Sequence, residues 1–200
     1  MIANLDYLFN TLKRVYGREG AAAVLGNVRA ESAYNPKNLQ NSYEKKLGMN
    51  DETYTAAVDS GAYAETSFVH DSAGYGLAQW THWSRKQNLI NYVRTRGKSV
   101  GDLESQTSFL IWEIGEYGLT AQLSGSMSLR DKVALVLRKY ERPADQSDAN
   151  VDRRTGYARE ILAAYPETPG QSPMIKEISG ELREEAARLI TLAEALEKEV

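Results

Sequence analysis

Apolar residues recur every three or four positions along much of the chain, which is the spacing of one face of an α-helix. The first such stretch begins near Leu5 and ends at Gly17, a residue type that stops helices. An alanine-rich stretch over residues 19–32 predicts a second helix. The Asn35–Pro36 step ends it, because proline disfavours helical geometry in the residue before it. Further helices are predicted over residues 51–58, 82–96, 102–117, 129–140 and 151–165.

Two stretches between these helices lack a helical period. Residues 33–50 are predicted to be irregular, and residues 62–81 to form a loop region with a small hairpin. The fold class is therefore expected to be mainly α, with one domain over residues 1–168 and a linker over residues 169–172. Residues 173–200 are predicted to form a C-terminal amphipathic helix. Its heptad repeat is only half complete, so docking on the domain and pairing with a partner helix are both open interpretations.

The composition is that of a globular chain of 200 residues, with 42% hydrophobic residues, 26% charged residues and a mean hydropathy of -0.49. No apolar run approaches the roughly 18 residues of a membrane span, and the first residues lack the pattern of a secretion signal, so we expect neither. The absence of cysteine excludes thiolate metal sites and cysteine nucleophiles. The spacing of His70 and His82 does not suit a helical metal-binding pair, so we expect no metal and no cofactor.

The net charge of -3 lies at the C-terminal end of the chain. Residues 173–200 contain 4 Lys or Arg and 7 Glu, which leaves 20 basic and 20 acidic residues in residues 1–172. Nucleic-acid binding depends on a basic surface that neutralises phosphates. Nucleic acid is therefore not an expected partner.

Carboxylate catalysis is the chemistry that these exclusions leave, since the chain also has no Gly-x-Ser-x-Gly motif of a serine hydrolase. Glu31 lies in the last turn of the alanine-rich helix, where the partial negative charge of the helix end disfavours the ionised carboxylate. Cleavage of a glycosidic bond needs such a proton donor, because the leaving oxygen must receive a proton. The alternative is an ordinary solvated carboxylate on a helix surface.

Three segments place Glu31 in a wider pattern: residues 26–36 (GNVRAESAYNP), 68–81 (FVHDSAGYGLAQWT) and 140–145 (YERPAD). The first resembles the end of the catalytic helix in the lysozyme-like superfamily. The Gly-Leu-Ala-Gln run of the second is similar to the cleft segment of goose-type lysozymes and soluble lytic transglycosylases. In their order and spacing, the three segments resemble the phage tail-type lysozyme domain of phage tail proteins and endolysins over about residues 4–165.

This resemblance implies a lysozyme-like helical domain whose small loop or hairpin region lines a sugar cleft. It implies a muramidase that hydrolyses the β-1,4 bond between N-acetylmuramic acid and N-acetylglucosamine in bacterial peptidoglycan, with Glu31 as the general acid. A lytic transglycosylase that leaves anhydro-muramic ends and a catalytically silent glycan-binding or structural tail module are the alternatives. The expected place of action is the bacterial cell wall, reached from the host cytoplasm through lysis machinery or on a virion. Residues 173–200 would then lead to a partner helix or a further wall-binding domain.

A second carboxylate is less clearly marked in the sequence. Asp71 is the first choice for a nucleophile or base, because it leads into the Gly-Tyr-Gly segment, which the resemblance places across the cleft from Glu31. Asp59 is the second choice, and a role as a turn carboxylate suits it equally well. Glu113 has apolar neighbours and is expected to be a buried, paired structural acid rather than a catalytic one.

Residues of three kinds are expected to contact sugar or to order Glu31: small residues, a polar amide and aromatic rings. They are Ser32, Tyr75, Gly76, Gln79, Trp80 and Tyr140. Tyr75 lies between two glycines in a predicted loop, where a side chain is hard to bury. A core position is an equal alternative for Trp80 and the favoured one for Trp83. Ser32 could equally bond its own helix backbone, and Tyr140 could equally belong to a helix stop.

Overall fold

A long N-terminal helical segment, α1 (Ile2–Ser32), forms the centre of the fold in a computed structural model that describes residues 2–167 of the chain. Gly17 divides α1, because its φ of 70° and ψ of 177° lie outside the helical region. The predicted break at Gly17 is confirmed. The second half of α1 is completely buried from Ala21 to Val28, which is where the other helices pack.

Within residues 2–167, eight more α-helices follow α1. They are α2 (Asn41–Leu47), α3 (Asp51–Ser60), α4 (Glu65–His70), α5 (Trp83–Arg94), α6 (Leu103–Glu116), α7 (Thr120–Ser124), α8 (Leu129–Leu135) and α9 (Asp148–Ala164). Helix α8 continues directly into a π-helical turn (Val136–Glu141). These described residues contain no β-strand, and the predicted mainly helical fold is confirmed.

The sequence pattern misses α2, α4 and α7, which have only five to seven residues each. Helix α2 buries no side chain, and α7 buries only Leu123. An amphipathic period becomes visible only when several turns repeat the same buried face. The prediction of an irregular stretch over residues 33–50 is therefore wrong at α2, and the prediction of a loop over residues 62–81 is wrong at α4.

The expected small hairpin is reduced to isolated backbone bridges. Tyr75 pairs with Trp80 and with Leu39, each in antiparallel orientation. Between Tyr75 and Trp80 the chain turns through Gly76, with a φ of 74°, and Gln79, with a φ of 45°. Glycine adopts such a φ without steric cost. This tight turn holds residues 75–80 against the end of α1.

Helices α1 and α9 lie close together at Gly26. A Cβ atom at Gly26 would lie 2.6 Å from the carbonyl oxygen of Arg154 and 3.1 Å from the Cβ of Ala158. Glycine is therefore required for the two backbones to come together. The approach brings the Arg154 side chain of α9 to the C-terminal end of α1.

The helices up to Ala164 belong to one compact unit. The predicted linker over residues 169–172 and the predicted helix over residues 173–200 lie outside the described residues. Across residues 2–167, none of the helices is long and apolar enough to cross a membrane.

The approach at Gly26 can be tested with a pair of glycine substitutions. Gly26→Ala should lower the free energy of unfolding by about 1–3 kcal/mol, because the new methyl group meets backbone that must shift. Gly156, in α9, is the matched control, since a Cβ there would meet nothing within 4 Å. Gly156→Ala should stabilise the protein by about 0.5–1 kcal/mol through its higher helix propensity. Urea unfolding measures both variants, and a Gly26→Ala protein as stable as the wild type would contradict this packing.

Candidate functional site

A large open cleft of about 1090 Å³ lies at the C-terminal end of α1. Its size exceeds the roughly 300–1000 Å³ of ordinary small-molecule pockets, so it suits an extended ligand. Residues from four parts of the chain line it: the end of α1, the start of α2 with the residue before it, the stretch from Ser72 to Arg85, and the end of the π-helical turn with the residues after it. Tyr117, which follows α6, completes the lining.

Glu31 lies at the cleft and pairs with a buried arginine. Its Oε1 atom is 2.7 Å from Nη2 of Arg154, in an ion pair rather than an aligned hydrogen bond. Arg154 is held in place by hydrogen bonds to Oδ1 of Asn27 at 3.1 Å and Oδ1 of Asn150 at 3.3 Å. The guanidinium therefore places a positive charge beside the carboxyl group, at a helix end where the sequence alone indicated only partial negative charge.

Glu141 is a second carboxyl group at the same cleft, and it was not among the site residues predicted from the sequence. Its Oε1 atom is buried and has no hydrogen-bond partner in the protein. Burial raises the pKa of Glu141 well above its ordinary value, and the charge of Glu31 raises it further, whereas Arg85 and Arg154 act in the opposite direction. Glu141 is therefore protonated under conditions in which exposed glutamates are ionised.

The π-helical turn explains how Glu141 reaches the cleft. The backbone N–H of Arg142 donates to the carbonyl of Leu137, five residues earlier, at 2.7 Å. Arg142 then leaves the helix in a left-handed conformation with a φ of 49°. Turns of this kind insert one extra residue into a helix and often occur at functional sites. Here the turn ends on Glu141 and leads Arg142 and Pro143 along the cleft wall.

Asp71, the first choice for a second catalytic acid, lies in a buried ion pair instead. Its Oδ1 atom is 2.6 Å from Nζ of Lys86, whose side chain is fully buried. Tyr54 donates to Oδ2 of Asp71 at 2.5 Å, and the backbone N–H of Ala73 donates to Oδ1 at 2.8 Å. Burial lowers the pKa of Lys86, and Asp71 partly offsets this effect. Asp71 is not among the residues that line the cleft.

Asp59, the second choice, lies at the end of α3 and accepts a hydrogen bond from the backbone N–H of Val100 at 2.8 Å. It borders a separate, smaller cavity of about 290 Å³. Its contacts match the alternative role as a turn carboxylate. The structure therefore does not bring either predicted aspartate to the cleft that Glu31 lines.

The three aromatic residues expected to contact sugar are completely buried. Tyr75 shares a hydrogen bond of 2.7 Å with Oγ1 of Thr55, which corrects the expectation of an exposed loop side chain. Trp80 donates to Oε2 of Glu113 at 2.8 Å, and Tyr140 donates to the same atom at 2.6 Å. All three serve as core residues that support the cleft from below.

Glu113 joins several parts of this core. Arg85 binds both of its carboxylate oxygens, at 2.8 and 2.7 Å, in addition to the bonds from Trp80 and Tyr140. The prediction that Glu113 is a buried, paired structural acid is confirmed. Burial raises the pKa of Tyr140 well above that of an exposed tyrosine, so its hydroxyl keeps the proton that it donates to Glu113.

The remaining predicted contacts divide between structure and cleft. Ser32 donates to the backbone carbonyls of Val28 and Leu77, at 3.3 and 2.9 Å, and so joins α1 to the turn of residues 75–80. Gly76 approaches Gln106 rather than a ligand, since a Cβ there would lie 2.6 Å from Oε1 of Gln106. Gln79 does line the cleft, with its amide bonded to Oδ1 of Asn38 at 2.8 Å.

Other side chains provide the exposed aromatic surface. Tyr43 and Tyr117 line the cleft, and Tyr117 is 37% exposed. Trp83 is 54% exposed beside His70 and His82, which corrects the expectation of a core position. Within residues 2–167, no cluster of three or more histidines and carboxylates could hold a metal ion.

Comparison with known proteins gives two findings. Residues 3–165 match the family model described as phage tail lysozyme. Over 155 residues the chain is 24% identical to Morphogenesis protein 1 of Bacillus phage B103, in an alignment that covers 72% of this chain and 35% of that protein. The chain thus spans about a third of the length of this curated relative.

The placement of Asp71 predicts a stability defect. Asp71→Asn should lower the free energy of unfolding by about 3–5 kcal/mol, because it leaves the buried Lys86 ammonium without its counter-charge. The double variant Asp71→Asn with Lys86→Met should regain much of this loss, since it removes both charges. Urea unfolding measures both variants. If Asp71→Asn alone is as stable as the wild type, this ion pair does not hold the fold together.

Proposed function

The chain belongs to the phage tail lysozyme family, whose model matches residues 3–165, and on that premise we propose that it is a muramidase acting on bacterial peptidoglycan. A lysozyme-like cell-wall role follows from the family. The finer proposal is hydrolysis of the β-1,4 bond between N-acetylmuramic acid and N-acetylglucosamine. The observation that carries it is the position of Glu31 at a cleft of about 1090 Å³ that contains a second carboxyl group.

Glu31 acts in this proposal at the glycosidic oxygen. As general acid it gives a proton to that oxygen while the bond to the anomeric carbon breaks. Water then adds to the anomeric carbon, and the proton that it loses returns to the carboxylate. Arg154 holds the Glu31 carboxylate in place through the ion pair of 2.7 Å, so the reacting group has a fixed position before substrate binds.

The cleft offers the groups that bind sugars. Tyr43 and Tyr117 provide aromatic faces for the apolar surfaces of pyranose rings, and Gln40 and Gln79 provide amides for hydroxyl and acetamido groups. We propose that glycan strands of the bacterial wall lie along this surface, and that the protein meets them from a virion or after release from the host cytoplasm. The name of the phage B103 relative refers to morphogenesis and describes that protein alone.

The reaction can be tested by mass spectrometry of soluble fragments after purified peptidoglycan is incubated with the protein. The wild type should release fragments with reducing muramic ends. Glu31→Gln should lower this release by about 100-fold or more, because a glutamine has no proton to give. Glu160→Gln is the control, since Glu160 is an exposed carboxylate in an ion pair with Arg29, away from the cleft.

Three other outcomes would contradict this proposal. Anhydro-muramic ends would identify a lytic transglycosylase instead. A folded Glu31→Gln protein with full activity would exclude Glu31 as the acid. Glycan binding without cleavage, equal in the wild type and Glu31→Gln, would identify a silent binding module.

The sugar-binding role of Tyr117 gives a separate test with soluble peptidoglycan fragments. Tyr117→Ala should raise KM by roughly two- to tenfold, the effect of losing one aromatic contact of about 0.5–1.5 kcal/mol, with a smaller change in kcat. Trp112→Ala is the matched control, because Trp112 is 43% exposed but does not line the cleft. Equal KM values for the two variants would place the sugar elsewhere.

A further inference from the structure

We propose that Glu141 is the second carboxyl group of the active site, and that Glu31 and Glu141 together hold one proton in the cleft. This inference rests on the proposed function for its catalytic meaning. The titration of the two carboxyl groups can be measured without substrate. Glu141 supplies the second acid that neither Asp71 nor Asp59 provides.

The contacts around the two groups differ in a way that separates their charges. Glu31 has the Arg154 guanidinium at 2.7 Å, which stabilises a negative charge. Glu141 has no such partner, and its Oε1 atom is buried with no hydrogen bond. An unpaired buried carboxylate is far less stable than a neutral carboxyl group. Before the reaction, the proton of the pair therefore lies on Glu141, the carboxyl group without a counter-charge.

Charged groups from four helices surround Glu141, and they are already engaged. They are Glu31 of α1, Arg85 of α5, Glu113 of α6 and Arg154 of α9. Arg85 makes two hydrogen bonds to Glu113, and Arg154 pairs with Glu31. Neither cation is committed to Glu141. The arrangement of two arginines and three carboxyl groups is balanced when one of the three carboxyl groups is protonated.

A shared proton completes the chemistry of hydrolysis. In the reaction the proton passes from Glu141 to Glu31, and Glu31 gives it to the glycosidic oxygen as the bond to the anomeric carbon breaks. Both carboxyl groups are then ionised. Water adds to the anomeric carbon and loses a proton, which returns to the pair. The pair begins and ends the cycle with one proton and one negative charge, and no other reagent is needed.

The test follows the carboxyl carbons of isotope-labelled glutamates by NMR as a function of pH. In the wild type, Glu141 should titrate well above the exposed glutamates. In Glu31→Gln its midpoint should fall by about one pH unit or more, since the charge that opposes its ionisation is gone. Glu116→Gln, an exposed change outside the cleft, should leave the midpoint of Glu141 unchanged.

Stability and activity give two further readouts for Glu141→Gln. A carboxyl group with a higher pKa in the folded state than in the unfolded state stabilises the protein at low pH. This contribution is lost as the pH rises through the pKa of the folded state. The wild type should show this loss of stability, and Glu141→Gln should lack it. Release of muramic fragments by Glu141→Gln should fall by about 100-fold or more.

The outcomes separate this inference from the proposed function. If Glu141 titrates with the exposed glutamates, or keeps its midpoint in Glu31→Gln, the shared proton is wrong whatever the activity. If the titrations behave as expected but Glu141→Gln keeps full activity, Glu141 is not part of the reaction. If the wild type cleaves no peptidoglycan while the pair titrates as expected, the muramidase proposal fails and the paired carboxyl groups remain.

Discussion

The ion pair between Glu31 and Arg154 depends on how closely α1 and α9 approach each other. Gly26 allows the contact, because any side chain there would meet the backbone carbonyl of Arg154 itself. Hydrogen bonds to Asn27 and Asn150 then hold the buried guanidinium of Arg154 in one orientation at the end of α1. A helix packing constraint near the middle of the core thus determines which cation lies beside Glu31. The close approach of the two backbones therefore sets the position of Arg154 beside Glu31 before a ligand binds.

The buried carboxylate of Glu113 connects the elements that line the cleft. Glu113 accepts hydrogen bonds from Trp80 and Tyr140 and pairs with Arg85, so the tight turn, α5, α6 and the π-helical turn meet at one group. Trp80 and Tyr140, which the sequence motifs predict as sugar contacts, are instead core residues that bind Glu113. Their hydroxyl and indole groups point into the protein, and the exposed aromatic surface comes from Tyr43, Tyr117 and Trp83.

Helices with several turns could be predicted from the sequence, because the repeated apolar face leaves a clear period, whereas short helices such as α2 left none. The position of Glu31 at a helix end and the phage tail lysozyme family could also be predicted, because both depend on local sequence motifs. The motif predicts a catalytic carboxylate at Asp71, but the side chain is buried against Lys86. This pairing joins residues 15 positions apart and depends on tertiary packing. Glu141 follows the buried Leu137 by four positions, so the sequence places a carboxyl group next to an apolar face, where charged residues are rare. Which groups surround it depends on which helices cross, and periodicity alone does not determine this.

The π-helical turn has a consequence for how this part of the chain can change in length. A regular α-helix rotates by about 100° per residue, so the same six residues wound as a regular α-helix would turn Glu141 away from the cleft. A turn with one residue fewer and regular winding would keep its direction. The following exposed stretch, from Ala144 to Ser147, has no such restriction, and insertions there would leave the carboxyl pair in place. Natural or engineered variants should therefore differ in length after the turn, whereas a residue lost within the turn should be accompanied by regular α-helical winding.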